Sequence, residues 1–162
     1  MTTAWVPLAT ITADGSTATW DITNIPSSYR DLILVIDCEI ASGTDNLDLR
    51  FNNDSTTNAY FSVYMEGDGS TASSNSGNTN FLRLTRGTRT STTRSNFIVQ
   101  IMDYSASDKD TTVLSRFNNA TEETNAMASR WDNTTVIDEI NVISGVNLVT
   151  GSTISLWGSN RV

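Results

Sequence analysis

The sequence predicts an all-β domain, an antiparallel sandwich or barrel of short strands, on three observations. Thr, Ser and Asn supply 61 of the 162 residues, so β-branched and turn-forming residues outnumber helix formers. Apolar and polar residues alternate along several short runs. No segment keeps a 3.6-residue apolar period for three helical turns. At this length we expect one domain spanning residues 1–162.

The longest alternating run, residues 31–41, predicts a central strand. One face of this strand is apolar throughout: Leu32, Leu34, Ile36, Cys38 and Ile40. The opposite face begins with Ile33 and Val35 and ends with acids, so we expect burial on both faces only at the start of the strand. Cys38 is the only cysteine, which rules out an intrachain disulfide and predicts a buried thiol.

Shorter alternating runs follow, separated by Gly, Asn, Asp and Ser clusters as in sandwiches and barrels. They begin at Leu47, Phe61, Phe97, Ile140 and Ile154. The four tryptophans of the chain fill the core or a subunit contact in one interpretation, and form sugar-stacking platforms in the other.

Residues 66–80 read EGDGSTASSNSGNTN and contain no large apolar side chain. Such a stretch buries too little surface to offset the entropy lost on ordering. We therefore expect a mobile loop at the tip of a hairpin. This loop is either a plain surface loop of small residues or a contact for a partner or glycan.

A basic patch stands out in an otherwise acidic chain of net charge −8. Its members are Arg83, Arg86, Arg89 and Arg94, with no acid between them. Because the guanidinium fork pairs bidentately with carboxylates, the patch suits an acidic partner surface. The alternative is a solvated edge hairpin whose charges discourage aggregation between sheets.

Several function classes are disfavoured by composition. The chain has no histidine, which excludes Ser-His-Asp and Cys-His catalysis and His-ligated zinc. Neighbouring acids such as Asp138 and Glu139 point to opposite faces of a strand and cannot flank one glycosidic bond. We expect no enzyme activity, catalytic residue, metal or cofactor. The acidic balance also argues against nucleic acid and membrane partners, and no stretch reaches the apolar length of a membrane span.

Four phrases of the sequence resemble a known group of proteins. They are IPSSYRDL at 25–32, LDLRFNND at 47–54, IVQIMDYSASDKDTTVLSR at 98–116 and INVISGVNLVTGSTISLWG at 140–158. Together they resemble small virion structural proteins of tailed bacteriophages, over nearly the whole chain from Trp5 to Gly158. The shared phrases are strand and turn segments, so no catalytic residue is carried over.

The resemblance implies a β-sandwich of jelly-roll type, usually a homotrimer, on the outer surface of the capsid. The implied role is a capsid cement or decoration protein that binds the major capsid protein lattice, or a fibre module that binds a receptor or glycan. For the cement role we expect capsid contacts at Trp5 and Pro7 and in the basic patch, at Arg83, Arg86, Arg89 and Arg94.

Overall fold

The computed structural model describes residues 4–85, 89–90, 93–119 and 123–160. Within these ranges the chain forms fourteen β-strands, paired antiparallel, and no helix, which confirms the all-β prediction. The strands are β1 (Trp5–Thr12), β2 (Thr19–Ile22), β3 (Leu32–Cys38), β4 (Thr44–Asp45), β5 (Leu47–Phe51), β6 (Tyr60–Gly67), β7 (Ala72–Thr79), β8 (Leu82–Arg83), β9 (Arg89–Thr90), β10 (Ser95–Met102), β11 (Thr111–Asn119), β12 (Thr124–Trp131), β13 (Ile140–Ser144) and β14 (Thr153–Ser159).

Two sheets carry most of these strands. The large sheet has eight strands in the order β1-β14-β3-β10-β11-β12-β6-β7. The small sheet has four, in the order β2-β13-β5-β8, and β4 pairs separately with β9. One face of each sheet contributes to a single hydrophobic core. The other face of each sheet is its outer face.

The predicted apolar face of β3 is confirmed, because Leu32, Leu34, Ile36, Cys38 and Ile40 are all 0–1% exposed. The expected burial of both faces at the start of β3 is wrong. Val35 is 38% exposed and Ile33 is half-buried. The physical reason is that the small sheet covers only one side of the large sheet, and no described segment packs against the other.

An aromatic cluster ties the two sheets together at one end of the core. The rings of Tyr60, at the start of β6, and Trp131, at the end of β12, stack with centroids 6.3 Å apart. Trp131 Nε1 donates to Asp54 Oδ2 at 2.8 Å, just beyond β5. Burial opposes ionisation of Asp54, but hydrogen bonds from Thr56, Trp131 and Asn133 outweigh it and lower the pKa of this carboxyl. Burial raises the pKa of Tyr60 to about 12.

Ten of the fifteen residues of the loop predicted at 66–80 belong to strands, two to β6 and eight to β7. β7 pairs with β6 at every position, from Gly67 opposite Ala72 to Tyr60 opposite Thr79. The hairpin was therefore predicted correctly and the loop was not. The entropy argument considered only side-chain burial, whereas backbone hydrogen bonds to β6 order β7 although its side chains stay exposed.

Candidate interaction face on the large sheet

The exposed large apolar side chains of the described residues share one surface, the outer face of the large sheet. They are Trp5, Val35, Phe61, Val63, Met65, Ile98 and Leu114, with exposures of 36–64%. Taking roughly 200 Å² as the full surface of a large side chain, these exposures amount to about 600 Å² of apolar surface. For comparison, the largest contiguous apolar patch on a typical monomer covers about 300–600 Å² and is often functional.

Strand register places five of these side chains, all except Trp5 and Phe61, in two neighbouring rows. The first row is Trp157, Ile33, Gln100, Leu114, Ala128 and Val63, each directly opposite the next. The second is Val35, Ile98, Arg116, Ala126 and Met65. Directly opposed side chains on a sheet lie about 4.5–5.5 Å apart at Cβ, so the rows form one apolar surface interrupted by Gln100 and Arg116.

The outer face of the large sheet carries few acids, although the whole chain has a net charge of −8. Within the described residues, Asp37 is the only carboxylate at an outward strand position of the large sheet, and its Oδ1 lies 2.8 Å from Arg94 Nε. Arg130 pairs with Asp110 at 3.0 Å. Arg116 forms no ion pair or hydrogen bond through its side chain within the described residues. A partner carboxylate would therefore meet, in the middle of an apolar surface, a guanidinium that has no ion pair with any described residue.

A hollow of about 430 Å³ lies beside Arg116 on this face. Its apolar lining includes Ile33, Ile98, Leu114 and Ala126, and the other polar residues that line it are Gln100 and the buried Ser115. The hollow is shallow and mostly apolar, with one amide and one guanidinium at its edge. This arrangement suits an apolar side chain of a partner that is flanked by a hydrogen-bond acceptor.

The outer face of the small sheet has the opposite chemistry. Asn141, only 2% exposed, donates through Nδ2 to Asp21 Oδ1 at 2.9 Å and to Glu139 Oε1 at 2.6 Å. Arg83 Nε lies 3.3 Å from Asp48 Oδ1. The polar groups of this face thus satisfy one another within the chain, which leaves a solvated surface.

The structure brings two of the predicted contacts, Trp5 and Pro7, onto the outer face of the large sheet. Both occupy outward positions of β1, with Pro7 directly opposite Trp157. Trp5 is 39% exposed and belongs to the apolar surface described above. Trp20 and Trp131, by contrast, are core residues.

The predicted arginines do not form one hairpin. β8, with Arg83, pairs with β5 of the small sheet, whereas β9, with Arg89, pairs with β4. Arg94 lies at the rim of the large sheet, where it also donates to the Gly151 carbonyl at 3.1 Å. Arg86 lies outside the described residues, and only the backbone of Arg89 is described. Arg83 and Arg94 are already paired with acids of this chain.

Sequence reasoning missed the central residues of the face, notably Leu114, Arg116 and Met65. A usable signal was present, because Val113 and Leu114 are consecutive apolar residues on a strand and therefore point to opposite faces. Such a strand is either buried on both faces or offers its second face to a partner.

Comparisons with known proteins found no match for this chain among family models, curated proteins or solved structures. In the ranges that the structure describes, no three acidic or cysteine side chains gather into a metal-binding group. The same ranges contain no helix of sufficient length and hydrophobicity to cross a membrane.

Proposed function

We propose that this protein is a bacteriophage virion structural protein, a capsid cement or decoration protein on the outer surface of the capsid. It binds the major capsid protein lattice through the outer face of the large sheet. The observation that carries this proposal is the apolar, acid-poor outer face, since apolar surface stabilises an association by about 25 cal/mol for each Å² removed from water. The sequence resemblance supplies the kind of particle. It also implies a homotrimer, an association that capsid binding through this face does not require.

Strand order supports the jelly-roll sandwich that this proposal includes. Eight strands, taken in chain order as β1, β2, β3, β5, β8, β10, β13 and β14, are divided equally between the sheets, and the chain changes sheet at every step except from β5 to β8. In the large sheet the first, eighth, third and sixth of them are neighbours, and in the small sheet the second, seventh, fourth and fifth. A jelly roll built from two Greek keys has the same neighbours, which supports this part of the proposal.

The remaining strands of the large sheet, β11-β12-β6-β7, extend it beyond the jelly roll; we call them the extension. The extension carries the three most exposed large apolar residues, Met65, Leu114 and Val63. An addition to the basic sandwich therefore provides much of the apolar face. That placement supports a specialised role in attachment.

The cement mechanism follows from linkage. A protein that binds the closed lattice but not isolated coat subunits adds its binding free energy to the stability of the shell. The apolar face contributes non-directional affinity, and Arg116 orients the contact by pairing with a lattice carboxylate. Many weak copies together stabilise the shell strongly.

Copy number tests the role of the protein on the particle. Quantitative mass spectrometry of purified virions should find hundreds of copies, relative to the major coat protein. A few copies in multiples of three would identify a fibre or spike instead. A virion that contains none would overturn the virion assignment itself.

The docking face is tested by Leu114→Asp, which puts a desolvated charge into the proposed contact. We expect at least a 100-fold loss of affinity for undecorated capsids in a co-sedimentation assay, with an unchanged melting temperature. The matched control, Thr19→Asp, places the same acid on the outer face of the small sheet and should bind normally. Equal binding by both variants would contradict the assignment of the face.

A fibre module that binds glycans is the second candidate. A polar hollow of about 160 Å³ lies beside the β6–β7 hairpin, lined by Ser62, Tyr64, Ser76, Thr79 and Arg83. Hydroxyl groups with one aromatic ring and one guanidinium are chemically suited to a sugar. A glycan-array signal that Tyr64→Ala abolishes would favour the fibre module over the cement protein.

A further inference from the structure

The two edges of the large sheet differ in how they are protected. β1 contains Pro7, which has no N–H to donate, and its pairing with β14 is interrupted by a bulge between Pro7 and Ala9. Both devices hinder the addition of a further strand. β7, at the other edge, reads ASSNSGNT and contains no proline, no charge and no bulge in its pairing with β6.

β7 is therefore an open template for another strand. Alternate N–H and C=O groups of an edge strand face away from its neighbour and lack a ladder partner. Every β7 side chain is exposed except that of Thr79, which is half-buried. Asn75 Oδ1 accepts a hydrogen bond from Ser76 N–H at 2.7 Å, a local contact that an added strand would replace.

Apolar surface lies directly beside this open edge. Phe61, Val63 and Met65 of β6 point to the outer face, opposite Asn78, Ser76 and Ser74 of β7. These small β7 side chains leave Met65 64% exposed. A strand added to β7 would reduce that exposure as well as pair the open backbone.

We propose that β7 pairs antiparallel with β7 of a second copy across a two-fold axis, which joins two large sheets edge to edge. Register centred on Asn75 keeps the two outer faces on the same side and sets Ser74 opposite Ser76 of the second copy. About 23 Å of strand would be paired, at roughly 3.3 Å for each residue.

A second copy fits this edge better than an unrelated partner for two reasons. An isologous contact requires only that one surface complement itself, and small Ser and Asn side chains hydrogen-bond across paired strands. In a chain of net charge −8, the uncharged β7 lets two copies meet without like charges in register. The inference goes beyond the proposed function, because it holds whether or not the protein binds capsids.

Sedimentation equilibrium over a wide concentration range tests the pairing. The wild-type chain should form dimers, and Ser74→Lys with Ser76→Lys should weaken the dimer at least 10-fold by opposing lysines across the axis. Ser74→Glu with Ser76→Glu should weaken it similarly. An equimolar mixture of the two variants should restore a mixed dimer, which a merely structural effect on β7 would not do.

The matched control is Thr10→Lys with Thr12→Lys, which adds the same charges to the same face at the opposite edge and should dimerise like the wild type. A wild-type monomer at all concentrations, full dimerisation of the lysine variant, or a mixture that stays monomeric would overturn the proposal. So would a closed trimer that the β7 variants leave intact.

Hydrogen exchange of the wild-type chain gives a second test that needs no variant to fold. Amides of residues 72–79 should exchange more slowly as concentration rises, and unchanged exchange would overturn the pairing. Capsid binding by a chain that never dimerises would leave the proposed function standing while this inference fails. Dimers that do not bind capsids would support this inference and contradict the proposed function.

Discussion

The two sheets enclose one hydrophobic core, but their outer faces differ in chemistry. On the small sheet, Asn141, Asp21 and Glu139 form a closed set of hydrogen bonds, and Arg83 is paired with Asp48. On the large sheet, aliphatic and aromatic side chains face outward and Arg116 has no ion-pair partner in the described chain. A polar face whose groups bond to one another needs no partner, whereas an apolar face whose arginine has no ion pair with the described residues gains stability from one.

Replacement of Asn141 disrupts the hydrogen bonds on the outer face of the small sheet, and we expect it to have the largest effect on folding stability. Asn141→Leu leaves the Asp21 and Glu139 carboxylates and the Asn53 N–H without the partner that Asn141 gives them. We expect unfolding free energy to fall by about 2–4 kcal/mol, measured by urea denaturation. Capsid binding at temperatures where the variant is folded should not change.

The matched control for that change is Asn96→Leu, an exposed asparagine on the outer face of the large sheet. Its effect on stability should stay within about 0.5 kcal/mol. Equal losses in both variants would show that the hydrogen-bonded set on the small sheet has no special structural role.

Two arginine substitutions, one on each sheet, test whether the two outer faces have different roles in stability and in binding. Arg83→Ala removes the contact with Asp48 and the packing of the guanidinium 5.0 Å from the Phe81 ring centroid, so it should cost about 0.5–1 kcal/mol. Arg116→Ala should leave stability unchanged but weaken capsid binding about 10-fold. Thermal melts and co-sedimentation separate the two effects, and the reverse pattern would contradict the comparison.

The smallest effect concerns the turn of the β6–β7 hairpin at the free end of the extension. Backbone N–H groups of Thr71 and then Ser70, with both hydroxyl groups, hold the pKa of the Asp68 carboxyl well below its ordinary value. Because the folded pKa is depressed, the contribution is present above the ordinary Asp pKa of about 3.9. It is lost as pH falls below that value toward the folded pKa.

Hydrogen exchange, corrected for the intrinsic effect of pH, measures this local contribution. Protection of residues 72–79 should decrease between pH 5 and pH 2.5 relative to the protection of β3. Asp68→Asn, which cannot ionise, should lose that pH dependence. A pH response in the variant equal to that of the wild type would exclude Asp68 as its source.

Local sequence patterns correctly predicted the features that depend on residues close together in the sequence. The alternation in β3 identified its core face because a period of two residues leaves no other placement for five apolar side chains. The sequence RFNN occurs twice, at 50–53 and at 116–119. Asn52 and Asn53 follow the end of β5 and form a turn, with positive φ values of 52° and 56°, as asparagine allows. Asn118 and Asn119 instead belong to β11 and pair with β10, so only the two asparagines differ in structure between the copies.

The features that the sequence did not predict depend on pairing between strands that are distant in the sequence. The segment 66–80 has no burial pattern, yet β6, itself held by β12, provides a ladder for β7. Arg83 and Arg94 are close in sequence, but the chain crosses from one sheet to the other between them. Arg83 therefore lies on the small sheet and Arg94 at the rim of the large sheet. A strand such as β11, which has an apolar residue on its outward face as well as on its core face, does not reveal from its own residues whether the outward face contacts another layer of this chain or a partner.

The central claim is that the protein binds capsids through the outer face of the large sheet. Carbene footprinting tests this claim most directly, by comparing the labelling of the free protein with that of the protein bound to undecorated capsids. Labelling of Met65 and Leu114 should fall sharply on binding, while labelling of Thr19 and Asp21 on the small sheet should not change. Protection of Thr19 and Asp21 with Met65 and Leu114 still fully labelled would contradict the account.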